Sequence, residues 1–118
     1  MADATFRHGA PVMIDYTPAT GNVAAGDVIL LGNLTGLTCV VAHLPITNES
    51  LGAVAGGGGV YEVTNLNNAA NGAKVYWEGG EVKKVTTVSE NMSLFGFVVS
   101  NGGGGDNSKC LALHKPYV

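Results

Sequence analysis

Charge is scarce in this sequence and nowhere concentrated. Only 13% of its 118 residues are charged, and six Lys plus Arg against nine Asp plus Glu leave a formal net charge of −3. The longest basic run is Lys83-Lys84. Nucleic-acid binding draws on several Lys or Arg contacts to phosphate, so no nucleic-acid partner is expected. No apolar run approaches the ~20 residues of a membrane span, and no membrane partner is expected either. Met1–Ala10 has no apolar stretch behind a basic start, which predicts no secretion signal. The sequons at Asn33, Asn48 and Asn91 are then chance products of an Asn- and Thr-rich chain. Helical stretches are missing as well: the Ala-rich segments are broken by Gly and Asn, and Asn48–Ala55 offers one or two turns at most.

The usual signatures of chemistry are also absent. Two Gly runs, Gly56–Gly59 and Gly102–Gly105, invite a phosphate-loop reading, but neither leads into Gly-Lys-Ser/Thr. Gly72-Ala73-Lys74 comes nearest and lacks the hydroxyl. Neither run has the third Gly of a dinucleotide fingerprint at its offset, where Tyr61 and Asn107 stand instead. His8, His43 and His114 are far apart in sequence, and no Cys or carboxylate cluster gathers around one, so no metal and no cofactor are expected. Cys39 and Cys110 lie beside aliphatic residues and are expected to be buried free thiols acting as small apolar groups. A disulfide between them would need suitable geometry. A Cys–His nucleophile pair, Cys39 or Cys110 with His114, would need a lowered thiol pKa and an exposed cleft. The nine carboxylates are scattered, and there is no Gly-x-Ser-x-Gly elbow.

What is present is β-forming. Hydrophobic residues make up 46% of the chain and there are 18 Gly without a three-residue period, which excludes disorder and a collagen-like helix. The length fits one domain. So little charge suggests an apolar surface destined for a partner. One short module occurs twice: Asn22–Gly32 is echoed by Asn68–Glu78, each a run of small residues, a Gly, then bulky apolar residues. The pattern predicts a tight turn entering a buried strand. Further strands are predicted at Val12–Tyr16, Asp27–Leu31, Leu37–Leu44, Val60–Thr64, Lys74–Trp77, Val82–Val88, Ser93–Ser100 and Lys109–His114. Turns are expected at Asn33–Gly36 and Glu78–Glu81, a bulge near Lys83-Lys84, and flexible loops over Thr47–Gly59 and Asn101–Ser108. The fold class is all-β: a small single-domain β-barrel or β-sandwich.

The first 20 residues differ from the rest. Two prolines and no clean period suggest an extended arm ahead of a compact β domain over residues 21–118. Phe6, Met13, Ile14 and Tyr16 mark it as an arm that packs on its own domain or on a neighbour. Tyr76 and Trp77 are adjacent, so in a strand they point to opposite faces. One belongs to the core and the other is available to an interface, where aromatics are enriched.

From Asn22 to Val99 the order of motifs resembles that of the tailed-phage head-decoration, or capsid cement, proteins. The matching segments are Val23-Ala24-Ala25-Gly26-Asp27-Val28-Ile29, then Gly72-Ala73-Lys74-Val75-Tyr76-Trp77, then Leu94-Phe95-Gly96-Phe97-Val98-Val99. Many such proteins carry a label as RecA-like recombinases. This sequence, without a phosphate loop and too short for a nucleotide-binding α/β domain, gives that activity no support. The resemblance implies a structural protein made in the host cytoplasm and placed on the exterior of the virion capsid. It implies the major capsid protein and further copies of itself as partners, in a homotrimer or a dimer, with no enzymatic activity. Such proteins clamp neighbouring capsid subunits after the shell expands, and an N-terminal arm often docks on the capsid and can add a strand to it. Phe6, Arg7, Pro11, Met13, Tyr16 and Trp77 are the expected partner contacts, and removal of Met1–Tyr16 is expected to abolish attachment. The rival readings are another virion or tail β-protein, a carbohydrate-binding module with Trp77 or Tyr61 exposed over a groove, and a small Cys–His or carboxylate enzyme.

Overall fold

Two glycine-centred turns organise the chain. The structure is a computed structural model that describes residues 3–31, 37–85, 87 and 92–117. In the turns Ala24–Asp27 and Ala70–Ala73, the third residue is Gly26 (φ 91°) or Gly72 (φ 86°). A positive φ at that position is what a type II turn requires and what Gly allows. Each turn closes by the amide of its fourth residue donating to its first carbonyl, Asp27 to Ala24 at 3.1 Å and Ala73 to Ala70 at 3.0 Å. Each Gly amide then reaches a distant strand, Gly26 to the Ala42 carbonyl at 2.7 Å and Gly72 to the Val98 carbonyl at 2.6 Å. The return bonds match too, Ala42 to Asp27 at 2.9 Å and Val98 to Ala73 at 3.0 Å.

The match extends beyond the turns. The strands are β1 (Thr5–Gly9), β2 (Met13–Tyr16), β3 (Val28–Leu30), β4 (Cys39–Ala42), β5 (Gly52–Ala55), β6 (Gly59–Asn65), β7 (Lys74–Glu78), β8 (Glu81–Lys83), β9 (Ser93–Ser100) and β10 (Ser108–His114). One sheet has the order β2-β5-β4-β3; the other has β1-β6-β10-β9-β7-β8. Its middle four, β6-β10-β9-β7, repeat the first sheet strand for strand. The registers coincide: Ile14 opposes Val54 and Val54 opposes Ala42 in one, Tyr61 opposes Ala112 and Ala112 opposes Val98 in the other. Likewise Val28 opposes Val41 as Lys74 opposes Phe97. The domain is therefore two copies of one four-stranded unit.

The copies differ at their edges. In the second unit β8 turns back on β7 through Gly79-Gly80, both at positive φ (64° and 92°) as a two-residue hairpin requires. A further parallel pairing of Asn65 with Val82 joins β8 to β6 and closes the sheet into a small barrel. The rest of the outer side of β6 is covered by β1. In the first unit β2 and β3 remain the two edges.

Each unit has its own core. The barrel encloses Tyr61, Val63, Val75, Trp77, Phe95, Val98 and Ala112, with Cys39, Val41 and Ala55 of the first sheet added to it. The equivalent face of the first sheet carries Val40, Ala42 and Val54, packed with Ile14, Tyr16 and Ile29 and covered by Ile46. At Gly96 (φ 151°) a Cβ would stand 1.9 Å from the Leu113 carbonyl oxygen, so β9 and β10 approach this closely because there is no side chain.

Most predicted strands are present, and the Glu78–Glu81 hairpin forms as expected. Thr47–Gly59, expected as a loop, contains β5. Gly52-Ala53-Val54-Ala55 is poor in β-formers, but it is paired on both sides, by β2 and by β4, and Val54 and Ala55 are fully buried. Pairing and burial override weak local preference. Strand β1 was not anticipated at all. The Asn33–Gly36 turn lies outside the described residues, as do Thr86 and Val88 of the predicted Val82–Val88 strand; β8 itself stops at Lys83. The loop after β6 is held by its own amides: Asn65 bonds the Ala69 amide and carbonyl at 2.9 and 3.0 Å, and Asn101 reaches Asn68 and Asn71.

Candidate functional site

The N-terminal segment is extended, and both of its strands are hydrogen-bonded into the domain. β1 is an edge strand on the barrel and β2 an edge strand of the first sheet, so one short segment touches both units. Its root is fixed by Ala4, which is 2% exposed and donates to the Gly26 carbonyl at 3.0 Å. All five residues of β1 are exposed. The register shifts between Phe6 and His8, which sets Arg7 out as a bulge, and its guanidinium lies 3.8 Å from the Glu62 carboxylate.

Phe6 is exposed, with its ring 4.7 Å from His43 and 5.6 Å from Tyr61. A cavity of about 260 Å³ opens beside it, between Phe6, His43, Ala25 and Gly26. His43 Nε2 meets the Tyr61 hydroxyl at 2.6 Å. Burial lowers the His43 pKa and raises that of Tyr61, so both partners in this hydrogen bond are favoured in their neutral forms. Pro11 is half-buried in the link between β1 and β2. Met13 is exposed, and Tyr16 is half-buried against the core of the first sheet. Phe6, Arg7 and Met13 thus offer side-chain surface, while Tyr16 mostly supports the fold.

Trp77 offers none. It is 4% exposed and stacks on Phe95 with ring centroids 5.5 Å apart, inside the barrel. The expectation of Trp77 as a partner contact is corrected: its neighbour Tyr76 is the half-exposed member of the pair. The alternation already held the signal, because Val75 and Trp77 share a face between the polar ends Lys74 and Glu78. Tyr61 is fully buried as well, so neither ring proposed for a sugar platform faces a groove.

Cys39 and His114 do come together, 3.6 Å apart between Sγ and Nε2, and both are fully buried. The thiol also donates to the Leu94 carbonyl at 3.4 Å. Burial pushes Cys39 up to about 12 and His114 down to about 4. A thiol held protonated beside a neutral imidazole is the reverse of an activated nucleophile. Cys110 is free and buried too, raised by burial to about 11. Among the described residues no three His, Cys, Asp or Glu side chains gather as metal ligands.

Sequence reasoning missed several exposed apolar residues. Val12 is 66% exposed, and Leu44 and Leu51 are each 71% exposed. Val12 donates to the Gly57 carbonyl at 2.9 Å, and Gly57 lies against Tyr117, itself exposed, so an apolar end forms around β2. Composition alone pointed to such a surface without placing it.

The phage cement protein family matches this chain over residues 7–113. The chain belongs to that family. This cement protein is therefore a capsid-associated structural protein of a bacteriophage, placed on the exterior of the virion capsid. No curated protein and no solved structure matches it. The cement protein's matched span takes in both four-stranded units and starts within β1, so the family pattern covers the duplicated domain and its N-terminal edge strands together.

Proposed function

We propose that this cement protein stabilises the expanded capsid by clamping neighbouring capsid subunits, docking on them through its N-terminal edge strands, with no catalytic step. The observation that carries the reading is the segment Thr5–Tyr16. It supplies an exposed edge to each unit and displays Phe6, Arg7, Val12 and Met13 on a chain otherwise poor in exposed charge. An edge strand offers unpaired amides and carbonyls to an extended partner segment. A domain of two joined four-stranded units holds both edges in fixed relation, as a clamp between two subunits needs. Weak single contacts repeated over a lattice, and within a homotrimer, add up to lasting attachment. The elevated Cys39 pKa supports the non-enzymatic reading.

The test is reconstitution on expanded capsids that lack the protein. Added protein should bind and raise the temperature at which the capsids release DNA. The double variant Phe6→Ala, Arg7→Glu should bind about tenfold more weakly while unfolding like the parent. Binding with no change in release temperature would contradict the clamp, and absence of binding would contradict docking altogether.

A further inference from the structure

Two Asn-Gly steps stand side by side at one end of the second unit. Asn71-Gly72 lies in the turn before β7, and Asn101-Gly102 opens the turn between β9 and β10. They touch: the Asn101 amide donates to the Asn71 side-chain oxygen at 2.8 Å. Asn is a chemically labile residue. It is most exposed to loss of its side-chain amide before Gly, because the next backbone nitrogen can attack the carboxamide carbon and no Cβ stands in the way. The fold treats the two steps differently. The Gly72 amide is bound to the Val98 carbonyl at 2.6 Å. The Gly102 amide donates to no group among the described residues. Asn101 Oδ1 accepts from the Gly103 amide at 2.6 Å. That bond spans two residues, so it folds the carboxamide back into a ring of which the Gly102 nitrogen is itself a member. An open cleft of about 480 Å³, lined by Asn71, Ser100, Asn101 and Gly103, admits water to the site.

We propose that Asn101-Gly102 is a self-modifying site, at which the folded chain converts Asn101 to aspartate and isoaspartate without an enzyme. The Gly102 nitrogen gives up its proton to solvent and bonds to Cγ of Asn101. Negative charge then gathers on Oδ1, where the Gly103 N–H already donates. The Cγ–Nδ2 bond breaks, Nδ2 takes up a proton and leaves as ammonia, and a five-membered succinimide remains. Water opens that ring. Addition at Cγ gives aspartate; addition at the backbone carbonyl gives isoaspartate. One water is consumed and one ammonia released. The product changes the fold locally. Asn101 Nδ2 donates to Asn68 Oδ1 at 2.8 Å and to the Ala69 carbonyl at 3.1 Å, tying the loop after β6 to the turn after β9. A carboxylate has no proton to donate and sets negative charge against both acceptors, so the tie is released. The site lies past Asn65, beyond the stretch of β6 that β1 covers, so the N-terminal edge strands are left as they were. A virion makes no protein, and the change accumulates with the age of the particle.

The measurement is peptide mapping by mass spectrometry of the full chain held in mildly alkaline buffer, with isoaspartate located by fragmentation. Asn101 should be modified at least about tenfold faster than Asn71, whose attacking amide is released only when its turn opens. In strong urea both become plain Asn-Gly steps, and the two rates should converge. Equal rates in the folded chain, a faster Asn71, or an Asn101 left intact while both react in urea would each overturn the inference. Asn101→Gln, which would have to close a larger and slower ring, should abolish the modification at this position; ammonia release that persists unchanged in this variant would place the reaction elsewhere and overturn it too. Asn101→Asp fixes the charge of one product and should lower the urea midpoint of the free protein. An unchanged midpoint would overturn the release of the loops.

Discussion

At the residue scale, His114 is the most telling side chain. It is fully buried, its Nδ1 has no hydrogen-bond partner among the described residues, and Tyr61, Phe95 and Cys39 surround it. Burial first, with a smaller contribution from His43, lowers its pKa from 6.5 to about 4. The unfolded chain therefore binds a proton at higher pH than the folded one does. The contribution to stability is complete above pH 6.5 and is lost as pH falls toward 4, about tenfold in the folding equilibrium per pH unit. Cys39 gives the mirror effect, with stability lost as pH rises from 9 toward 12. Urea unfolding from pH 4 to 11 should show a plateau between these limits. His114→Gln should flatten the acid side.

Gly96 and Trp77 carry predictions at the same scale. Gly96→Ala drives a methyl into the Leu113 carbonyl and should cost at least about 3 kcal/mol, read as a lowered urea midpoint or failure to fold. Trp77→Phe should cost about 1–2 kcal/mol, since it leaves a small cavity against Phe95, and should leave capsid affinity as it was. Weakened binding by a stably folded Trp77→Phe would restore Trp77 as a contact.

At the element scale, legibility followed burial. Strands with one buried face, such as β6 with its strict alternation, could be read directly. So could β9, whose apolar run spans Leu94–Val99, and the Glu78–Glu81 hairpin, whose two glycines name the turn. β1 could not, because all five of its residues are exposed and no periodicity betrays a strand held only by backbone pairing. β5 was hidden by its small residues. The candidate contacts divide on the same physics: Phe6, Arg7 and Met13 lie on open edges, while Trp77 answers to the barrel interior. Because β1 covers β6 and Ala4 is buried, removing residues 1–16 strips an edge from each sheet. Such a truncation should lower the unfolding midpoint as well as abolish attachment, so point substitutions on β1 and β2 are the cleaner probes.

At the scale of the whole molecule, the recurring turn module was visible in the sequence, but its extent was not. The matching turns at Gly26 and Gly72 survive as residues, whereas the paired strands β2 and β6, or β5 and β10, share register without sharing side chains. Backbone hydrogen bonds preserve a duplicated topology after side chains diverge. The divergence is purposeful in physical terms: one copy closed into a barrel, the other kept open edges. A closed unit gives rigidity and an open one gives places to attach, which suits a protein whose work is to hold a shell together. Quantitative mass spectrometry of purified virions tests this account most directly. It predicts a copy number comparable to that of the major capsid protein, because reinforcement of a lattice has to repeat with the lattice; a few copies per particle, or none, would contradict it.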